Sequence, residues 1–164
     1  MHQVVLLLGG NIDNSLQKFN KTTDLLKENV GTVLQQSQYY SSSAWGYQSK
    51  HEFVNLAVII NTSLSPEETL RQCLTIEQIL GRKPHTPHHY ADRTMDIDII
   101  FYDDIVMDTP LLQIPHPRMQ IRNFVLTPLA EICPQKLHPV LHKTVRELKN
   151  LCRDKATVKP VDLE

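Results

Sequence analysis

Phe53-Val54-Asn55-Leu56-Ala57-Val58-Ile59-Ile60-Asn61-Thr62 is followed closely by Ser65-Pro66-Glu67-Glu68. The first run is apolar and rich in β-branched residues, which predicts a strand. Side chains alternate across a strand. Val54, Leu56, Val58 and Ile60 therefore share one face, and Phe53, Asn55, Ala57 and Ile59 share the other. The second segment has a capping serine, a proline at the first helical position and a capping-box glutamate, so it opens a helix. That helix runs to Leu80 with Leu70, Cys73, Leu74 and Leu80 on its apolar stripe, and Gly81 ends it.

Upstream, Val4 to Leu8 is a short apolar run bounded by Gly9-Gly10, which predicts a central strand buried on both faces. Asn14 or Ser15 caps a helix carrying Leu16, Phe19, Leu26 and Val30, and Gly31 terminates it. Thr32 to Ser42 reads as a further strand. Downstream, a proline- and histidine-rich loop, Arg82 to Asp92, leads into a strand ending at Tyr102. The order β-α-β-β-α-β predicts an α+β fold: a ferredoxin-like antiparallel sheet with its helices on one face. Val54, Leu56, Val58, Ile60, Ile97, Ile99 and Phe101 then lie beneath the helices. Asn55, Asp96 and Asp98 lie on the opposite face, with segments 43–52 and 82–92 as its walls or lids. A C-terminal helical extension follows. Phe124 to Ile132 reads as a helix marked by Pro128, Thr144-Val145-Arg146-Glu147 opens a last helix to Cys152, and the tail from Arg153 is expected to fray.

The 164 residues suit one domain, with a core over 1–140 and a C-terminal helix and tail over 141–164. The net charge of -1 argues against a nucleic-acid partner. No apolar run approaches the ~18 residues of a membrane span. Cys73, Cys133 and Cys152 are odd in number and far apart, which fits free thiols better than a disulfide framework. The expectation is a cytoplasmic monomer acting on small molecules.

Chemistry concentrates in Arg93-Thr94-Met95-Asp96-Ile97-Asp98. On a strand the two acids share a face, where they repel each other. A hard divalent cation such as magnesium relieves that repulsion, and phosphates supply its remaining oxygens. Arg82, Arg93, Arg118 and Arg122 stand in or beside loops near that face, and arginine suits bidentate phosphate contact. Glu77 interrupts the apolar stripe of its helix. Its head is either in water at the stripe's edge or hydrogen-bonded to a ligand or backbone group. His85, His88 and His89 have no cysteine nearby and share their segment with two prolines, which argues against zinc. His116, held between Pro115 and Pro117, can donate to a phosphate. Gly9-Gly10-Asn11 matches neither phosphate-loop pattern and reads as a tight turn. Trp45, Phe53, Tyr90 and Phe124 can stack on a planar heterocycle.

With these pieces assembled, the sequence resembles the 6-hydroxymethyl-7,8-dihydropterin pyrophosphokinases of folate biosynthesis from Val4 to about Pro139. Its most specific element is Gly81-Arg82, then a loop, then Arg93-Thr94-Met95-Asp96-Ile97-Asp98. Leu8-Gly9-Gly10-Asn11, Phe53-Val54-Asn55, Ile114-Pro115-His116-Pro117-Arg118-Met119 and Arg122-Asn123-Phe124-Val125-Leu126 support it. The resemblance implies transfer of the pyrophosphoryl group of ATP to the pterin hydroxymethyl oxygen, with release of AMP. It implies that Asp96 and Asp98 hold two Mg2+ ions and that Arg82 and Arg93 steady the phosphates. His116 and Arg122 match phosphate contacts, and Glu77 and Ile99 match positions at the nucleotide. Asn55 matches the reader of the pterin's polar edge, Phe53 and Phe124 its aromatic walls, and Ser43 and Trp45 the lining loop. Tyr90 stands where many members carry tryptophan. Ala91-Asp92 replaces a Gly-Pro, Leu74 replaces a polar residue and Phe53 lacks a tyrosine hydroxyl.

Three other readings compete. An RNA-binding module would interleave aromatic and basic residues on its central strands, and this chain does not. A nucleotide sensor would bind ATP without consuming it. A kinase moving only the γ-phosphoryl group would release ADP.

Overall fold

The computed structural model describes residues 1–11, 15–42, 52–81 and 95–163. Its elements run β1 (His2–Asn11), α1 (Ser15–Asn29), β2 (Gly31–Gln36), β3 (Tyr40–Ser42), β4 (Phe53–Thr62), α2 (Pro66–Ile79) and β5 (Asp96–Tyr102). Then come β6 (Met107–Asp108), β7 (Gln113–Ile114), α3 (Asn123–Ile132), α4 (Val145–Leu151) and β8 (Val158–Pro160). The main sheet is ordered β5-β1-β4-β3-β8, and β2 also pairs with β4. Every pairing in it is antiparallel. The architecture is therefore a mixed α/β fold built on an antiparallel sheet with four α-helices among the described residues.

The capping signals act as expected. The Ser65 side chain accepts from the Glu68 backbone N–H, and Thr144 accepts from that of Glu147. Both capping boxes are closed, which satisfies donors that a helix start leaves unpaired. The segment read as one strand over Thr32 to Ser42 is two, β2 and β3, with a register shift between Val33 and Gln35. α1 ends at Asn29, just before Gly31, as expected. Gly31 opens β2, so close to β4 that a Cβ there would overlap the Asn61 carbonyl.

The sheet is buried on both sides. Beneath α1 and α2, the first layer joins Val4, Leu6, Leu8, Val54, Leu56, Val58, Ile60, Ile97 and Ile99 to Phe19, Leu26, Cys73 and Ile76. Ile76 fills the place expected of Leu74, which is 45% exposed. The second layer joins Val5, Leu7, Ala57, Ile59, Ile100 and Phe101 to Val125, Leu126, Leu129, Ile132, Val145 and Leu148 of α3 and α4. Helices thus cover both faces, not one. The C-terminal segments are amphipathic and must bury their apolar stripes somewhere.

Phe101 also departs from simple alternation. Val5 pairs with Phe101 and Leu6 with Ile99, so a bulge at Ile100 gives β5 one extra residue. Ile100 and Phe101 both enter the second layer, while Tyr102 turns to the first. The tail does not fray. β8 pairs with β3, Ser42 opposite Val158 and Tyr40 opposite Pro160. The Gly31→Ala variant is expected to lose about 1–3 kcal/mol of unfolding free energy through overpacking, measured by urea denaturation.

Candidate active site

The registers align residues in rows on the second face. Tyr40 pairs with Asn55, Asn55 with Gly9, and Gly9 with Asp96. The next row runs Ala57, Leu7, Asp98. Asn55 and the acid pair thus stand on one face, two strands apart, with Gly9 between them. The expected tight turn at Gly9-Gly10-Asn11 is instead the last part of β1. A Cβ on Gly9 would lie 2.8 Å from Asn55 Oδ1, so the gap between β4 and β5 exists only because that position lacks a side chain.

Asn55 is 5% exposed, and its Nδ2 donates to Ser42 Oγ at 3.4 Å. Phe53 lies opposite both Asn11 and Ser42, half-buried beyond Asn55. Arg122 immediately precedes α3, and its guanidinium carbon sits 5.6 Å from the centre of the Phe124 ring. Burial, then the Arg118 guanidinium, lowers the Arg122 pKa, and Asp98 opposes that shift. Arg122 and Asp98 are therefore electrostatic neighbours on one side of the sheet.

Asp96 and Asp98 are both half-buried on β5. Ile97, between them, donates its backbone N–H to Glu77 Oε1 at 2.9 Å. Glu77 is 3% exposed, which resolves its two readings: its carboxylate is inside and holds a backbone group of the acid strand. β5 is the edge strand of the sheet, and Glu77 covers one donor of that edge.

A cavity of about 680 Å³ runs along β5, lined by Asp98, Ile99 and His116 together with Leu70, Leu112 and residues 108–111. Composition gave no hint of the loop between β6 and β7. It supplies no charged motif, only a wall. The His116 backbone N–H donates to the Ile100 carbonyl at 3.0 Å, which ties the segment to β5. Arg118 N–H donates to His116 Nδ1 at 3.2 Å. Nε2 is thereby the protonated nitrogen, because Nδ1 is the acceptor. Burial first, then Arg122 and Arg118, pushes the imidazole pKa down to about 4. At neutral pH His116 is an uncharged donor.

Among the described residues, no group of three or more His, Cys, Asp or Glu is placed to hold a metal ion. Two half-buried carboxylates beside an open cavity still suit a hard cation whose other oxygens come from phosphate and water. Arg82, Arg93, Ser43, Trp45 and Tyr90 lie outside the described residues, as do His85, His88 and His89. Of the remaining sequence-derived residues, the sheet gathers Phe53, Asn55, Asp96 and Asp98 on one face. Arg122 and Phe124 join them from the start of α3, and His116 and Ile99 line the cavity. No helix among the described residues is long and apolar enough to cross a membrane.

A carboxylate and a neutral histidine lining one cavity, with a second acid two residues along the strand and Arg122 electrostatically coupled to both Asp98 and His116, suit a transferase that handles polyphosphates. A sequence model of the 7,8-dihydro-6-hydroxymethylpterin-pyrophosphokinase (HPPK) family matches residues 5–134, and the chain belongs to that family. A 2-amino-4-hydroxy-6-hydroxymethyldihydropteridine pyrophosphokinase from Aquifex aeolicus is 36% identical over 149 residues, covering 91% of each chain. One from Bacillus subtilis is 39% identical over 131 residues, covering 79% of this chain and 77% of its own. A solved HPPK-DHPS structure in complex with substrates superposes with a TM-score of 0.75 at 15% identity, over 92% of this chain and 43% of that one. The present chain thus spans less than half of that solved protein. Membership makes this chain an enzyme of folate biosynthesis that transfers a pyrophosphoryl group to hydroxymethyldihydropterin, with ATP as the donor.

Removing the buried acceptor in Glu77→Ala leaves the Ile97 N–H unpaired, and a loss of about 1–3 kcal/mol is expected by urea denaturation. Glu77→Gln keeps an acceptor oxygen and is expected to lose less. His116 gives a pH signature. Its folded pKa of about 4 lies below the ordinary 6.5, so the unfolded chain takes up the proton first as pH falls. The stability contribution is complete above the unfolded value and is lost as pH drops through this window toward the folded one. His116→Asn is expected to flatten that part of the curve, followed as thermal midpoints across the same range.

Proposed function

We propose that the transfer takes place at the end of the second sheet face that α3 and α4 leave uncovered, on a ferredoxin-like core. The strand order β5-β1-β4-β2, with each neighbour antiparallel, supports that description of the core. The row Asn55-Gly9-Asp96 carries the site assignment. It sets a polar side chain suited to an amide-like ring edge opposite an acid suited to a cation, with only a glycine between.

Asn55 reads the pterin's polar edge, and Phe53 and Phe124 wall its faces, with Ser43, Trp45 and Tyr90 completing the lining. ATP lies along β5. Its base and ribose occupy the cavity beside Ile99, and Glu77 keeps that edge in place. Its polyphosphate meets His116 and Arg122, and the family resemblance assigns Arg82 and Arg93 to the same phosphates. Asp96 and Asp98 hold two magnesium ions. Bound there, magnesium supplies charge neutralisation for the polyphosphate and for the reacting oxygens. The His116 imidazole donates without adding charge, and the arginines carry the cationic part of transition-state stabilisation. No dedicated base is assigned. The arrangement acts by alignment and charge, the terms that dominate phosphoryl transfer.

Nucleotide product analysis tests this reading. Parent enzyme with Mg2+, ATP and 6-hydroxymethyl-7,8-dihydropterin is expected to release AMP, dependent on the pterin. Asp96→Ala and Asp98→Ala are each expected to lower turnover by about 10³-fold or more, and Arg93→Ala to damage turnover more than ATP binding. ADP as the product, or full turnover with both acids removed, would refute the assignment.

A further inference from the structure

The first turn of α3 presents Arg122 and Phe124, yet its own sequence holds it poorly. Arg122 occupies the N-cap position, and it makes no side-chain capping bond. Arginine has no acceptor to offer there. Pro128, inside the helix, brings no N–H to the Phe124 carbonyl one turn back. The acceptor comes from far along the chain. Asp154 Oδ2 accepts from the Asn123 backbone N–H at 2.9 Å, and the Asp154 carbonyl accepts from Asn123 Nδ2 at 2.6 Å. Asp154 Oδ1 accepts from the Ala156 N–H at 2.9 Å, which fixes the turn leading into β8. β8 then pairs with β3 and places Val158 opposite Ser42, the residue bonded to Asn55.

One carboxylate therefore ties both sides of the acceptor pocket together: Phe124 and Arg122 through α3, Ser42 and Asn55 through β8 and β3. A negative side chain at a helix start is also the electrostatically favoured arrangement. The family match ends at residue 134, so Asp154 lies beyond it. We propose that Asp154 is a positioning residue for pterin binding, standing in for the cap that Arg122 cannot make.

The inference rests on the site reading above, and the test keeps the two apart. Asp154→Ala, Asp154→Asn and Asn55→Ala are compared with the parent for pterin KM, kcat, thermal midpoint and the Kd of AMP, a probe of the cavity along β5. Asp154→Ala is expected to raise pterin KM about 10-fold with AMP affinity within about twofold, as loss of one cap suggests. Asp154→Asn, which keeps one acceptor oxygen for Asn123, is expected to recover most of that loss and carries the test if the alanine variant fails to fold. Unchanged pterin KM in both Asp154 variants, with Asn55→Ala impaired, overturns the positioning role and leaves the site reading standing. Equal losses in pterin KM and AMP affinity, tracking a fall in thermal midpoint, also overturn it. An unimpaired Asn55→Ala sinks the site reading and the inference with it.

Discussion

If β5 slid by one residue against β1, Asp96 and Asp98 would point into the apolar layer beneath α1 and α2, and Ile97 would take their place outside. Neither layer tolerates that exchange. Ile97 and Ile99 are each 5% exposed beneath the helices, and unpaired carboxylates there would carry a large desolvation cost. The bulge at Ile100 lets one strand meet two demands. Its first half alternates acid and isoleucine, while its second half puts Ile100 and Phe101 together against α3 and α4. Glu77 adds a third restraint through Ile97 N–H. The packing and edge contacts of β5 thus set where the acids point.

Charge in the site is arranged around the same strand. Burial, then Arg122 and Arg118, lowers the His116 pKa, and Asp98 opposes the lowering of the Arg122 pKa. A polyphosphate would add negative charge beside Arg118 and Arg122. An imidazole kept neutral can sit among guanidiniums without adding to their repulsion and still offer Nε2–H. Stability and anion affinity are therefore opposed here: the arginines that crowd one another in the unliganded chain are the ones a phosphate would relieve.

What could be read from the sequence follows from range. The period-two runs, the capping boxes at Ser65 and Thr144 and the acid pair are local patterns, and each stands where expected. Ser42, opposite Val158, depends on a pairing between segments more than a hundred residues apart, and nothing near either one announces it. The Ile100 bulge is likewise invisible, because Ile-Ile-Phe satisfies either phase of alternation. Glu77 looked anomalous in an apolar stripe. That anomaly was the available signal, but its partner is a backbone group, which no residue type reveals. Covering of the second face by α3 and α4 could have been inferred from their apolar stripes, which need a surface to bury.

α3 links these levels. Leu126 and Leu129 are fully buried against the sheet, so the body of the helix is bound by packing. Its far end is bound by Glu131, which accepts from Tyr40 Oη at 2.7 Å and from the Gln38 backbone N–H at 3.0 Å. Burial, then that hydrogen bond and charge, drives the Tyr40 phenol up to about 12, so the contact persists across physiological pH. Its near end is held as well: the Arg122 carbonyl accepts from the Val125 and Leu126 N–H groups, and Asp154 accepts from Asn123. The helix is thus anchored along its body and at both ends, which fixes Arg122 and Phe124 relative to the sheet.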